Sequence, residues 1–197
     1  MLTMLDEHTL IQECLKQNNS AQKILYKKFF PKMIAVCFRY LKNKEDASEV
    51  LNTAFMKVFE KLKQYKSEGS LEGWIKKIVI NSSLDFIRSN KSYRNKFILT
   101  DEFFSEQMDD DSVNFSEAEA YLSGEEIFEF ISALPPATRI VFNLYVIDNF
   151  THKQIAKQLN ISTGTSQWHL SNARKILKVK INEAVNKKNR SNNIIHG

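Results

Sequence analysis

The stretch THKQIAKQLNISTGTSQWHLSNARKIL, Thr151 to Leu177, reads as two helices joined by a tight turn. Ile155, Ala156 and Leu159 recur at helical spacing, and the small Ala156 lets a second helix approach closely. Asn160 follows, the non-glycine residue best suited to a left-handed backbone, then Ile161 to plug the elbow and Ser162 to cap the next helix. The buried stripe of that second helix is expected at Ser166, Leu170, Ala173 and Leu177. Thr165, Gln167, Trp168, Ser171, Asn172 and Lys175 are then left on outer faces, where base edges or phosphates can be met. This is the grammar of a DNA-reading helix-turn-helix. It is also that of two ordinary amphipathic helices, so context has to decide.

Charge is the first context. Residues 1–96 carry 18 Lys and Arg against 10 Asp and Glu, and residues 139–197 carry 10 against 2, so each end is net +8. Residues 97–138 hold 11 acids and no base. Basic lobes with clustered Lys and Arg are the electrostatic footprint of polyanion binding, and an acidic bridge repels or imitates the same polyanion. Cys14 and Cys37 sit among apolar neighbours and read as reduced core thiols of a cytosolic protein. Histidines 8, 152, 169 and 196 lack ligand spacing, so no metal site is expected. No phosphate loop, nucleophile elbow or acid/base pair stands out, so neither an enzyme nor a cofactor is expected. Apolar runs are too short to span a bilayer, and no signal peptide is visible.

Helical periodicity dominates, and the fold class expected is all-α: two small helical domains joined by an acidic flexible linker. The first domain spans residues 8–96, with helices over Thr9–Gln17, Ser20–Leu41 broken near Pro31, Lys44–Lys63 and Leu71–Asn90. Ala47, Val50, Leu51, Ala54, Phe55, Val58, Phe59 and Leu62 form its clearest core stripe. Residues 97–119 form the linker. The second domain, residues 120–184, has helices near Glu125–Ala133, Pro136–Ile147, Thr151–Leu159 and Ser162–Ala184, and residues 185–197 form a disordered tail.

Three segments, in order, resemble a bacterial sigma factor of the extracytoplasmic-function group in the sigma-70 family. DASEVLNTAFMKVF (Asp46 to Phe59) resembles the family's polymerase-binding helix. GSLEGWIKKIVINSSLDFIR (Gly69 to Arg88) resembles its promoter-melting helix, with Trp74, Asn81, Asp85 and Arg88 at matching places. LPPATRIVFNLY (Leu134 to Tyr145) resembles the entry to its DNA-reading domain. The similarity covers roughly residues 8–96 and 125–181.

The resemblance implies a non-enzymatic initiation factor that binds the beta-prime and beta subunits of core RNA polymerase and promoter DNA. It works in the bacterial cytoplasm and on the nucleoid, with an anti-sigma protein as a further partner and no stable membrane insertion. It assigns Glu45, Asp46, Glu49 and Asn52 to polymerase. Tyr65, Lys66 and Ser67, in a loop that would hold a flipped base, go to the minus-10 element, with Trp74, Lys77, Asn81, Arg88, Lys91 and Arg94. Thr163, Thr165, Gln167, Trp168, Ser171, Asn172, Arg174 and Lys175 go to the minus-35 element. Trp74 fits either a DNA contact or the core, Phe86 fits the core, and Asp85 is a partner for Arg88. Departures from the family pattern fall at Ser48, Asn52 and Thr53, which thin the acidic face, and at Gln167, Trp168, His169 and Asn172, which make the recognition helix less basic. A sigma-like regulator without productive polymerase contact is the alternative reading.

Overall fold

The computed structural model describes residues 6–90 and 122–195, and their side chains as far as residue 189. The described residues are helical throughout, without a strand, and divide between two compact units, one within residues 1–94 and one within 95–197.

The first unit contains α1 (Glu7–Leu15), α2 (Asn19–Leu41), α3 (Lys44–Lys61), a 3-10 turn (Leu62–Gln64) and α4 (Leu71–Ser89). Each helix begins where a short polar side chain takes up an orphan amide: Asp6 accepts from Thr9, Asn18 from Ser20 and Ala21, Asn43 from Asp46, and Ser70 from Gly73. α2, α3 and α4 pack on one another, and α1 closes against α2. Leu25, Phe29, Met33 and Tyr40 of α2 meet Leu51, Phe55 and Val58 of α3 and Ile75, Ile80 and Leu84 of α4 in the core. Cys14 and Cys37 are buried free thiols, and burial pushes both up to about 11.

Three expectations change here. α2 is not broken near Pro31, which lies exposed inside a continuous helix of 23 residues. A proline in mid-helix costs about 3 kcal/mol. Burial of Leu25, Phe29, Met33, Val36 and Tyr40 on both sides of it outweighs that, because each apolar side chain contributes about 1.5–3 kcal/mol. Phe59 and Phe86, assigned to the core, are only half-buried at its edge.

The second unit contains α5 (Gly124–Ser132), α6 (Pro136–Phe142) continuing into a π turn (Asn143–Ile147), α7 (His152–Leu159) and α8 (Thr163–Ile195). Ser123 with Glu126 and Thr151 with Gln154 form reciprocal capping boxes, and Pro136 opens α6 where its missing N–H costs nothing. α8 packs on α6, α7 and α5. The tail expected to be disordered instead continues α8 through residue 195. Ile181 is buried, and Lys188 pairs with Glu126 of α5 at 2.7 Å, so the added turns are held to their own unit. The linker 97–119 lies outside the described residues.

Candidate nucleic-acid and polymerase interfaces

The apolar stripe of α3 faces the core, which leaves its opposite face for a partner. Glu45 and Glu49 are exposed there, and Asp46 is half-exposed at the helix start. Asn52 is exposed too, and its Oδ1 accepts a hydrogen bond from the Tyr26 phenol of α2 at 2.8 Å. One turn further on stands Met56, 64% exposed, an apolar residue missed in the reading of this face. The signal was available, since position 56 falls outside the stripe 47, 50, 51, 54, 55, 58.

The loop after α3 is tied to itself. Tyr65 donates its phenol proton to the Gly69 carbonyl at 2.7 Å, and its ring lies 5.6 Å from that of Trp74. Ser67 (φ 59°) and Gly69 (φ 104°) supply the left-handed backbone that folds the loop back. Lys66 and Ser67 are exposed at its tip, and Trp74 is half-buried beside Tyr65, so part of its ring packs and part faces solvent. Lys77, Asn81 and Arg88 are exposed along α4, at spacings of four and seven residues that keep them on one side. Asp85 pairs with Arg88 as expected, and also with Lys57 of α3 at 3.4 Å. Lys91 and Arg94 lie outside the described residues.

In the second unit the turn forms as read. Asn160 adopts φ 55° and ψ 50°, and the Ile161 amide bonds to the Ala156 carbonyl at 3.1 Å. Ser162 Oγ accepts from the Thr165 amide at 2.9 Å and lies 2.7 Å from its hydroxyl. Thr163, Gln167 and Lys175 are exposed on α8; Trp168, Ser171, Asn172 and Arg174 are half-buried. Thr165 does not share that face. It is fully buried, its hydroxyl held by Ser162, and is removed from the base-reading set.

His169 is likewise an inner residue, 6% exposed, with Nδ1 at 3.0 Å from the Thr138 hydroxyl of α6. Burial pushes its imidazole down to about 4, so it is neutral at ordinary pH. His152 stacks on Tyr145 with ring centres 4.4 Å apart and reaches Ser166 at 2.9 Å, pinning the start of α7 to α8. Burial and the Arg174 charge lower its pKa as well. Two imidazole–hydroxyl pairs thus set α8 against the helices beneath it.

No helix among the described residues is long and apolar enough to cross a membrane. Residues 25–93 match the family described as Sigma-70 region 2, and residues 124–177 match Sigma-70, region 4, so the two matches together span more than half of the chain. The chain is 21% identical over 148 residues to RNA polymerase sigma factor SigV of Bacillus subtilis, covering 74% of this chain and 82% of that protein. It is also 21% identical over 187 residues to the ECF RNA polymerase sigma-E factor of Escherichia coli, covering 92% of this chain and 97% of that protein. Among solved structures, the sigma factor RpoE of Bartonella quintana, in complex with the anti-sigma factor NepR, aligns with TM-score 0.48 and 17% identity over 81% of this chain and 96% of that one. With both family regions matched in order on two helical units, the chain belongs to the sigma-70 family of bacterial RNA polymerase sigma factors, in its extracytoplasmic-function group.

Proposed function

We propose that the two units divide promoter recognition, the first docking core polymerase and reading the minus-10 element, the second reading the minus-35 element. The chain is a promoter-specific transcription initiation factor, and polymerase performs the chemistry. The observation that carries the division is that each unit turns one polar helix face outward beside a feature suited to its ligand. On α4, Trp74, Lys77, Asn81 and Arg88 join an aromatic surface to positive charge, next to a loop with Tyr65 packed on Trp74 at its start and Lys66 and Ser67 at its tip. Stacking rings and a basic track are what single-stranded DNA requires. On α8, Thr163, Gln167, Trp168, Ser171 and Asn172 face the bases, while Arg174 and Lys175 hold phosphates.

The outer face of α3, with Glu45, Asp46, Glu49 and Asn52, docks on the beta-prime subunit, and the beta subunit completes the core contact. Lys91 and Arg94 add positive charge for the minus-10 element, and residues 97–119 carry the acidic charge that lies between the two units in sequence. An anti-sigma protein completes the partner set expected of the group. The factor acts in the cytoplasm, on nucleoid DNA when active.

Run-off transcription with purified core polymerase tests the reading. Promoter-dependent transcripts are expected, lost when Glu45, Asp46 and Glu49 are all replaced by Lys, with core binding lost in parallel. DNA binding without transcripts from the unaltered chain would return the regulator reading.

A further inference from the structure

The departure at Asn52 has a structural counterpart on the neighbouring helix. Tyr26 of α2 crosses to α3 and donates its phenol proton to Asn52 Oδ1 at 2.8 Å. Its ring is itself wedged, edge-on to Phe55 at 4.7 Å and 5.4 Å from Phe30, so the hydroxyl is presented from a fixed support. With Oδ1 engaged by Tyr26, the amide is held in one orientation and its NH2 is turned away from α2. Glu49 and Met56 stand one turn to either side of it, both exposed.

We infer that Tyr26 is a positioning residue for polymerase docking, which sets the Asn52 amide as an oriented donor between Glu49 and Met56. The inference rests on the reading of α3's outer face as the polymerase surface. An exposed asparagine otherwise samples several rotamers, and a partner that uses its amide must pay for ordering it. Ordering the side chain beforehand removes that cost, worth about 2- to 10-fold in affinity. A chain whose acidic face is thinned at Ser48, Asn52 and Thr53 gains from a contact that is ordered in advance. A tyrosine serving only the α2–α3 seam would act through its ring, which the phenylalanine substitution preserves.

The test is a double-mutant cycle on the full chain: dissociation constants for purified core polymerase, with Tm recorded for each variant. Tyr26→Phe is expected to weaken binding about 2- to 10-fold with Tm within a few degrees of the parent. Asn52→Ala is expected to weaken it at least as much, and the double variant to bind no worse than Asn52→Ala alone. Wild-type affinity in Tyr26→Phe beside weakened Asn52→Ala overturns the positioning role and leaves the docking face standing. Additive losses overturn it as well, since the two residues then act separately. If Asn52→Ala is neutral while the triple Lys variant loses core, the inference fails alone. If both are neutral, the docking face fails with it.

Discussion

The two units solve the same packing problem with different chemistry. Among the described residues, the polar side chains buried in the first are Ser82 and Ser83, whereas the second buries Thr138, Arg139, Asn143, Thr165, Ser166 and His169. The first unit rests on long helices with wide apolar stripes. Two of the second unit's helices, α6 and α7, have seven and eight residues, and polar pairs fill what apolar side chains would otherwise cover. Buried polar pairs hold a defined rotation at some expense of stability, because each member must find its partner. A helix that presents particular side chains to base edges needs such a rotation. The second unit should therefore be the more fragile one, and above all the more acid-sensitive.

The largest expected effect lies in pH. The folded-state pKa of His169 is near 4 against about 6.5 when unfolded, so between these values the unfolded chain holds the extra proton. Stability is fully present above about 6.5 and falls as pH drops toward 4, by roughly 3 kcal/mol in all. His152, also depressed, acts in the same direction. The chain has two tryptophans, Trp74 in the first unit and Trp168 in the second, so each unit can be followed separately. In Trp74→Phe, the Trp168 melting temperature should drop markedly between pH 7 and pH 5, a window above the ordinary carboxylate range. In Trp168→Phe, the Trp74 transition should move much less. Equal shifts would break the comparison, and His169→Leu should flatten the second unit's pH dependence.

Base readout comes next. Gln167 is exposed and Asn172 half-buried on α8, and either amide can make a bidentate contact to adenine. Selection from a random DNA pool should return an A·T-biased minus-35 element. Loss of each amide to Ala should cost about 1–3 kcal/mol at its own position, more for Gln167. A G·C-dominated motif, or one unchanged in both variants, would take these amides out of readout. Lys175→Ala should weaken all sites alike and reduce the salt slope by about 1, because a phosphate contact carries no sequence information.

The smallest effect sharpens the other side of the comparison. Asp85→Asn removes a carboxylate shared by Lys57 and Arg88 on the surface of the first unit. Exposed pairs of this kind contribute under about 1 kcal/mol, so the Trp74 transition should move by only a few degrees. A large drop would mean that the first unit, too, leans on polar pairing.

Where local chemistry decides, the chain was legible. Ser162 as a cap and Asn160 at the left-handed turn were readable because each acts on residues within one turn of itself. The errors on α8 have a different origin. A 3.6-residue period yields one buried stripe, here Ser166, Leu170, Ala173 and Leu177, but the start of α8 is packed by α6 and α7 at once. α7 reaches it at Ser166 and α6 at His169, so the buried face is wider and takes in Thr165. No property of threonine or histidine announces this.

The sequence by itself determined the all-helical class, the caps and the turn, and the basic lobes with the acidic stretch between them. It also carried the family, through segments in the right order. These depend on composition, on spacing within a turn or two, or on order along the chain. The tertiary structure alone decided that α2 runs through Pro31, that α8 continues past residue 184 against α5, and that Thr165 and His169 of α8 face inward beside Ser166. It also decided that Tyr26 holds Asn52 and that Asp85 serves Lys57 as well as Arg88. Partners such as Tyr26 with Asn52, Lys57 with Asp85 and Thr138 with His169 lie 26 to 31 residues apart. Helical periodicity places a side chain on its own helix, and only the packing of several helices chooses what it meets.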